Sequence, residues 1–563
     1  MGGNRKVKTV FLLPCFFVFL LFRPVDAESI EVSGFEGDTT HWSADTVFVT
    51  GNLTAYQGTY AHKELIIDPG VVIYFTGPYH LRFFEGNYTI RAEGTPDDSI
   101  VFTSPDSVRW RGIQIDRRDD YIREKNAIVF SYCTFEHCKG GTVRFVGNDS
   151  LTTASITHCG FFGNDSGAAL SFSAPGCAYH FFKTEIAYNR FMNNATRYEG
   201  GAIHVVNTAV YYRVKDTLPV TQTIENNLFS GNSAASGGAV FIEGDKLLLR
   251  NNRFENNTAR YEGGAIYLKL SSSLVVNNIF TGNSVPFDPE NPPSPGTDGG
   301  GAILIMTGSD TLNIPVISGN LITENSGLNG GAIHCNDAAV LIVNNTICNN
   351  VSTYGGALYW ESSGGFRKCV NTIFWGNRTV VDTGAQIYLW RSHPEFHHCV
   401  IEGGVGSIWQ DTGFIEEGKY EVPFANCLAE YPEFADTATG SFRLSKNSPC
   451  INAGIFDTAG LFLPAFDLDS AIRITDDTVD IGCHEFVPST ETVSFGRFPD
   501  VSGHQCHHSI FLHHAGGHLP DATGKFLTLT GRQLRPGRTG HIPSGMYLTP
   551  SSVSESTRNR SRR

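Results

Sequence analysis

The side chains that could do chemistry fall into a few groups. Asp116, Asp119 and Asp120 lie beside Arg117 and Arg118. Carboxylates next to a cation can serve as general acid and base on a sugar polymer, but this stretch reads as a loop, where a solvated turn is the simpler account. Glu199 and Glu262 stand in two copies of one phrase, Arg197-Tyr198-Glu199-Gly200 and Arg260-Tyr261-Glu262-Gly263. A catalytic carboxylate is expected to break a repeat rather than be copied by it, so these two read as structural or surface residues. Tyr211, Tyr212 and Phe287 stand in stretches that depart from the repeat. Their rings could stack on a sugar or anchor a protein partner, and they are the expected ligand contacts. His504, His507, His508, His513, His514 and His518 cluster without regular ligand spacing, so no metal site is assigned. No residue is assigned as catalytic, and no cofactor is implied.

These residues are set in a recurring frame. Gly263-Gly264-Ala265-Ile266 follows Phe254 by nine residues, and the pair of phrases recurs as Phe229…Asn232 with Gly237-Gly238-Ala239-Val240, Ile322…Asn325 with Gly330-Gly331-Ala332-Ile333, and Ile347…Asn350 with Gly355-Gly356-Ala357-Leu358. From Gly237 to Gly263 is 26 residues and from Gly330 to Gly355 is 25. A fixed period in this range marks a solenoid, whose units are too small to bury an apolar face alone and must stack. Short alternations such as Ala265-Ile266-Tyr267-Leu268, broken by Asn and Gly, are strand chemistry. The expected fold is all-β, a right-handed single-stranded parallel β-helix of roughly 12–15 coils, three strands of about 4–5 residues in each. The glycine pair permits a corner with positive φ. Phe191, Phe229, Phe254 and Phe280 are expected to stack as an internal aromatic file, and Asn227, Asn252, Asn278 and Asn345 as a ladder of side-chain amides.

Phe254-Glu255-Asn256-Asn257 with Gly263 to Ile266 resembles the repeats of polymorphic outer membrane proteins and, more broadly, bacterial secreted right-handed β-helix proteins. The turn-and-strand phrases Leu65 to Phe75, Ile100 to Ser104 and Trp110 to Ile115 resemble the entry coils of the same group. Tyr431 to Phe434, Gly440 to Leu444, Ser448 to Gly454, Asp467-Leu468-Asp469 and Val479 to Phe486 resemble its terminal coils, with Ser470 where the group usually has Gly. Asp521 to Lys525, Leu534 to Gly537 and Ile542 to Leu548 resemble a degenerate type IX secretion sorting domain. These resemblances imply a bacterial outer-membrane or cell-surface setting and specify no single activity.

The chain has 563 residues, 60 Gly, 40 Phe, 17% charged residues and a net charge of −14. That acidity argues against a nucleic-acid partner, for which a basic stripe is expected, and disfavours polyuronates unless cations bridge. Arg5, Lys6 and Lys8, the apolar run Val10 to Phe22, and Val25-Asp26-Ala27 have the parts of a signal peptide, and the run is shorter than a span requires. Twelve cysteines would remain after cleavage. Cys133, Cys159, Cys348, Cys369 and Cys399 stand at repeat positions and read as small apolar fillers, with a Cys133–Cys138 bridge across one turn as the alternative.

The resulting organisation is a signal peptide at 1–27, capping coils at 28–125, repeats at 126–405, terminal coils at 406–486 and a sorting-domain-like or unstructured tail at 487–563. Two insertions, 205–222 and 284–298, carry the aromatic and Pro-rich departures from the repeat. The expected function is a secreted or cell-surface, non-catalytic adhesin or binding scaffold for glycans or proteins, without a transmembrane span. The alternative is a carbohydrate-active enzyme: a lyase, hydrolase or epimerase on the same scaffold. Deleting either insertion should leave far-UV circular dichroism unchanged and weaken attachment to cells or glycans. Equal attachment by both deletion variants would place the binding face elsewhere.

Overall fold

The computed structural model describes residues 27–488, apart from 57–61, 85–86, 118–125, 148–151, 175–182, 208–221, 289–298, 309–312, 362–366, 381–383, 385, 412–421, 438–439, 456–458 and 476, together with four two-residue strands between Phe498 and Leu527. Contacts divide the chain into Met1–Phe511 and Leu512–Arg563. Within the second unit, Leu519–Pro520 pairs with Phe526–Leu527 in antiparallel fashion.

The first unit is a parallel β-helix. Three sheets of 14, 13 and 14 strands run its length. In the central coils the chain passes from Leu247–Arg250 to Arg253–Glu255, then Thr258–Glu262, then Ile266–Lys269. Each strand pairs with its equivalents one coil before and after, as Phe254 pairs with Phe229 and Phe280. The three sheets can be named by their contents: an aromatic sheet holding Phe254, a glycine-flanked sheet holding Ile266, and a third sheet holding Leu249.

Because each coil repeats the last, like side chains stack on like. Phe102, Phe135, Phe161, Phe191, Phe229, Phe254 and Phe280 form one file of fully buried rings, with neighbouring centroids 4.7–4.9 Å apart. At one end of this sheet stands a ladder of buried asparagines: Asn189, Asn227, Asn252, Asn278, Asn320 and Asn345. Each Nδ2 donates to the next Oδ1 at 2.9–3.0 Å. Each Oδ1 also accepts from a backbone N–H one coil back, as Asn252 does from Asn227 at 3.0 Å. The Nδ2 of Asn252 donates to the Ile224 carbonyl as well, at 2.8 Å, so both of its hydrogens and both lone pairs of its oxygen are used.

A second ladder stands at the other end of the same strands. It runs Asn164, Asn194, Asn232, Asn257, Asn283, Asn325, Asn350, Asn377, with Nδ2 to Oδ1 distances of 2.9–3.0 Å. The corner before the first ladder is left-handed at Asn226, Asn251, Asn277 and Asn344, with φ between 51° and 56°. Asparagine tolerates that region better than most residues.

The two glycines of the Gly-Gly phrase do different work. Gly263 has φ +60° and turns the corner. Gly264 does not have positive φ; a Cβ there would lie 2.0 Å from the Gly301 carbonyl oxygen, so it is the neighbouring coil that excludes a side chain.

The coils expected over 406–486 are only partly present. Among the described residues the last parallel strand is Phe424–Ala425, followed by one parallel bridge between Val400 and Leu428, and beyond it Phe434–Asp436 and Ser441–Leu444 pair antiparallel. The chain then lies back along the outer face of the aromatic sheet. Phe434, Phe442, Leu444, Cys450, Ile481 and Cys483 pack with Leu321, Cys348, Ile373 and Val400 of that sheet. Asn344 Nδ2 donates to the Asp480 carbonyl at 2.8 Å, and Asn277 Nδ2 to the Phe466 carbonyl at 3.0 Å. The reason lies in the outward positions of the aromatic strands. They are Arg253 and Glu255 in one coil but Leu321, Cys348, Ile373 and Val400 later, an apolar stripe that must be covered.

All ten described cysteines are unpaired thiols, Cys133 and Cys138 among them, and nine of the ten are buried. Burial pushes the Cys138 and Cys450 thiols up to about 12, as expected of inert core sulfur.

Replacing Phe254 with Ala should cost about 3–5 kcal/mol, because a rigid file of rings cannot close the cavity. A chemical denaturation midpoint equal to that of the parent would contradict the stacking account.

Candidate functional site

Tyr211 and Tyr212 lie outside the described residues, and Phe287 is half-buried just ahead of residues 289–298. Both insertions connect to the glycine-flanked sheet. One follows its strand Ile203–Asn207, and the other precedes Gly299 and its strand Ile303–Met306. The outward face of this sheet, between those strands, forms a cleft of about 390 Å³.

One wall of the cleft comes from the strands themselves. Their register aligns His204, Phe241 and Tyr267 as one outward row, and Val206, Glu243, Lys269 and Met306 as the next. His204 stacks on Phe241 with centroids 5.3 Å apart, and Phe241 meets Tyr267 edge-on at 5.3 Å. Lys269 Nζ lies 2.9 Å from Glu243 Oε1. The opposite wall comes from a short extra sheet of Ser233–Ser236 with Thr258–Glu262, extended by a bridge between Glu199 and Ser236. Ser236 Oγ donates to Glu262 Oε2 at 2.9 Å.

Glu199, Glu243 and Glu262 therefore face one cleft together with Lys269 and His204. Burial lowers the His204 pKa below its ordinary value, and the pull of Glu199 and Glu243 only partly opposes this, so the imidazole is neutral near pH 7. Such a cleft offers acceptors for hydroxyl groups over a base of buried rings. Its walls carry three carboxylates against one ammonium, a balance that opposes a polyuronate.

Glu199 and Glu262 were visible in the sequence as copies. His204, Phe241, Tyr267 and Glu243 were not singled out. Their signal is the strand alternation itself: if Val240 and Ile242 point inward, Phe241 and Glu243 point outward. What the sequence alone did not place is the fourth row of residues that closes the cleft.

Asp116 does not lie in a loop. It belongs to the strand Ile113–Arg117, is 6% exposed, and has Arg82 at 3.7 Å. Asp119 and Asp120 are outside the described residues, as are the histidines between His504 and His518 and the sorting-domain-like phrases of the tail.

Asp467, Asp469 and His484 converge closely enough to hold a metal ion. Their atoms are already engaged. Asp467 Oδ1 accepts from the N–H groups of Asp469 and Ala471 at 2.9 and 2.7 Å, and Oδ2 from Glu485 N–H at 2.7 Å. Arg443 donates to both oxygens of Asp469 at 2.6 Å, and His484 Nδ1 lies 2.9 Å from Asp469. The group reads as a clasp for the returning chain. Ser470 completes its turn with φ +69°, the left-handed conformation that Gly would take without strain. Beside it, fully buried Arg473 holds Glu485 at 2.8 Å and donates to the Gly482 and Cys483 carbonyls.

Residues 177–401 match the family model described as the right handed beta helix region. With the three parallel sheets, this gives the fold as a right-handed parallel β-helix. No curated relative matches it by sequence. Among solved structures it is similar to a PL6 alginate lyase in complex with a trisaccharide, at 15% identity and TM-score 0.34, covering 71% of this chain and 83% of that one. It is also similar to pectate lyase Pel9A, at 13% and 0.23, covering 74% and 88%. A third is the periplasmic alginate epimerase AlgG, at 11% and 0.22, covering 71% and 85%. At these identities and TM-scores the likeness carries nothing about activity. Among the described residues no helix is long and apolar enough to cross a membrane.

The clasp should be pH-sensitive. Burial alone would lower the His484 pKa, but Cys483 and Asp469 reverse that and raise it to about 10. A raised histidine stabilises the fold fully below its ordinary pKa of 6.5, and that stability is lost as pH climbs toward 10. Burial likewise pushes Glu485 up to about 8 against the pull of Arg473, so its contribution fades in the same direction, between pH 4.5 and 8. Thermal melting should fall from pH 6.5 to 10 in the parent and be flatter in His484→Gln. Parallel curves for the two proteins would remove His484 from the clasp.

Proposed function

We propose that the chain is an exported β-helix that binds a glycan at the cell surface or in the medium without cleaving it, and that the cleft on its glycine-flanked sheet is the binding site. The observation that carries this reading is the meeting of hydrogen-bonding groups in one cleft, Glu199, Ser236 and Glu262 along one wall, over a base of the buried rings of Phe241 and Tyr267. The charged and apolar parts of the N-terminal segment, Arg5 to Ala27, support export. Tyr211 and Tyr212, outside the described residues, follow Asn207 by four and five positions in sequence.

A second reading has its own support. Three carboxylates and a neutral imidazole around one cleft are groups from which glycoside hydrolysis or proton abstraction is built. Binding is favoured over it because two of the three are occupied: Glu243 pairs with Lys269 and Glu262 accepts from Ser236.

The purified chain should bind members of a glycan array and release neither reducing ends nor unsaturated products from them. Binding should weaken when Glu199 is replaced by Ala. Reproducible cleavage of any polysaccharide, lost in Glu199→Gln or Glu262→Gln, would establish the enzyme reading instead.

A further inference from the structure

The Arg-Tyr phrases beside the cleft sit at breaks in the coil-to-coil register. Ala234 pairs with Ala259, and Ser236 with Glu262, so Arg260 and Tyr261 together face Ala235 alone. On the other side, Ala195 pairs with Ser233 and Glu199 with Ser236, so the coil of Arg197 and Tyr198 carries the same extra residue. A bulge of this kind turns a side chain out of the sheet and is favoured next to binding sites. Both rings are turned out: Tyr198 is 54% and Tyr261 46% exposed. Each is held by its neighbour, with the Arg197 guanidinium 5.0 Å from the Tyr198 centroid and that of Arg260 4.9 Å from Tyr261. Between them the intervening coil presents only Ala235.

The exposed tyrosines are thus two coils apart, about 9.6 Å along the axis at ~4.8 Å per strand step. An extended polypeptide shows the same face every two residues, or about 6.8 Å, and does not fit that interval. Two pyranose rings of an extended β-linked chain do, and in such a chain alternate sugars present the same face. The cleft walls alone are net negative, but at the rim Arg197 and Arg260 join Lys269 and offset Glu199, Glu243 and Glu262, so the ligand that matches the rim is uncharged.

We infer that Tyr198 and Tyr261 form a two-point platform at the rim of the cleft that stacks alternate sugars of an extended, uncharged β-linked glycan, with the sugar between them seated over Ala235. This rests on the glycan-binding reading and adds to it the ligand class and the spacing.

Calorimetry with cello-, xylo- and chito-oligosaccharides of increasing length tests it, with alginate and pectate oligomers as charged counterparts. Engaging both rings takes three consecutive sugars, so trisaccharides should bind at least about tenfold more tightly than disaccharides, an interval of 1.4 kcal/mol. Tyr198→Ala and Tyr261→Ala, both at exposed positions, should keep the parent melting temperature and lose that step. Ala235→Trp, which keeps both rings and fills the seat between them, should lose it too. Binding by the parent with no step at three sugars, tighter binding of the charged oligomers, or retention of the step in all three variants would overturn the platform while leaving glycan binding in place. Absence of binding to every oligosaccharide and to the array would overturn both.

Discussion

The structure depends on keeping one coil in register with the next, and the asparagine ladders are the device that enforces it. A ladder amide such as Asn252 has no spare hydrogen-bonding capacity: its oxygen takes a backbone N–H and an amide hydrogen from the coil below, and its nitrogen serves a carbonyl there and the amide above. A coil slipped by one residue would leave these buried groups unpaired, each at a cost of roughly 1–3 kcal/mol. Both ladders bracket the six strands of the aromatic sheet from Arg190–Met192 to Thr346–Cys348, so slippage there is opposed at both ends. Each ladder also ends in a defined way. Asn345 N–H meets the Thr372 hydroxyl at 3.4 Å, and Asn377 passes to Gln386, which donates to Glu402 at 2.8 Å.

A scaffold this regular gives meaning to its departures. Where outward residues of the aromatic sheet turn apolar, the chain returns to cover them and is clasped by Arg473, Asp467 and His484. Where a coil gains one residue between its second-ladder asparagine and its glycine pair, a tyrosine is turned outward from the fourth row of residues that runs beside the main sheet in these and later coils. That row makes the cleft. The bulges lie in coils adjoining both insertions, so the structural irregularities of the helix concentrate on one stretch of one face.

Much of the fold was legible in the sequence, because a solenoid writes its period directly: Gly263 and Gly237 differ by one coil, and Phe254 and Phe229 likewise. The second ladder was written just as openly, in Asn232, Asn257, Asn325 and Asn350, but an asparagine repeated three residues after a large apolar residue reads equally well as a turn. The returning segment was less legible. Its cause is an outward stripe spread over Leu321, Cys348, Ile373 and Val400, residues that adjoin only once the coils are stacked. The site was legible in fragments. Glu199 and Glu262 stood out, yet their copying suggested a scaffold role; the bulge that distinguishes their coils from the one carrying Ala235 is a difference of one residue, visible only when the strands are paired.

The most direct measurement is a crystal structure of the protein soaked with a neutral β-linked tetrasaccharide. The account predicts sugar rings against Tyr198 and Tyr261, one ring between them over Ala235, and hydroxyl groups within hydrogen-bonding distance of Glu199 or Glu262. A sugar bound elsewhere on the helix, or lying across the cleft without contact to either tyrosine, would contradict it.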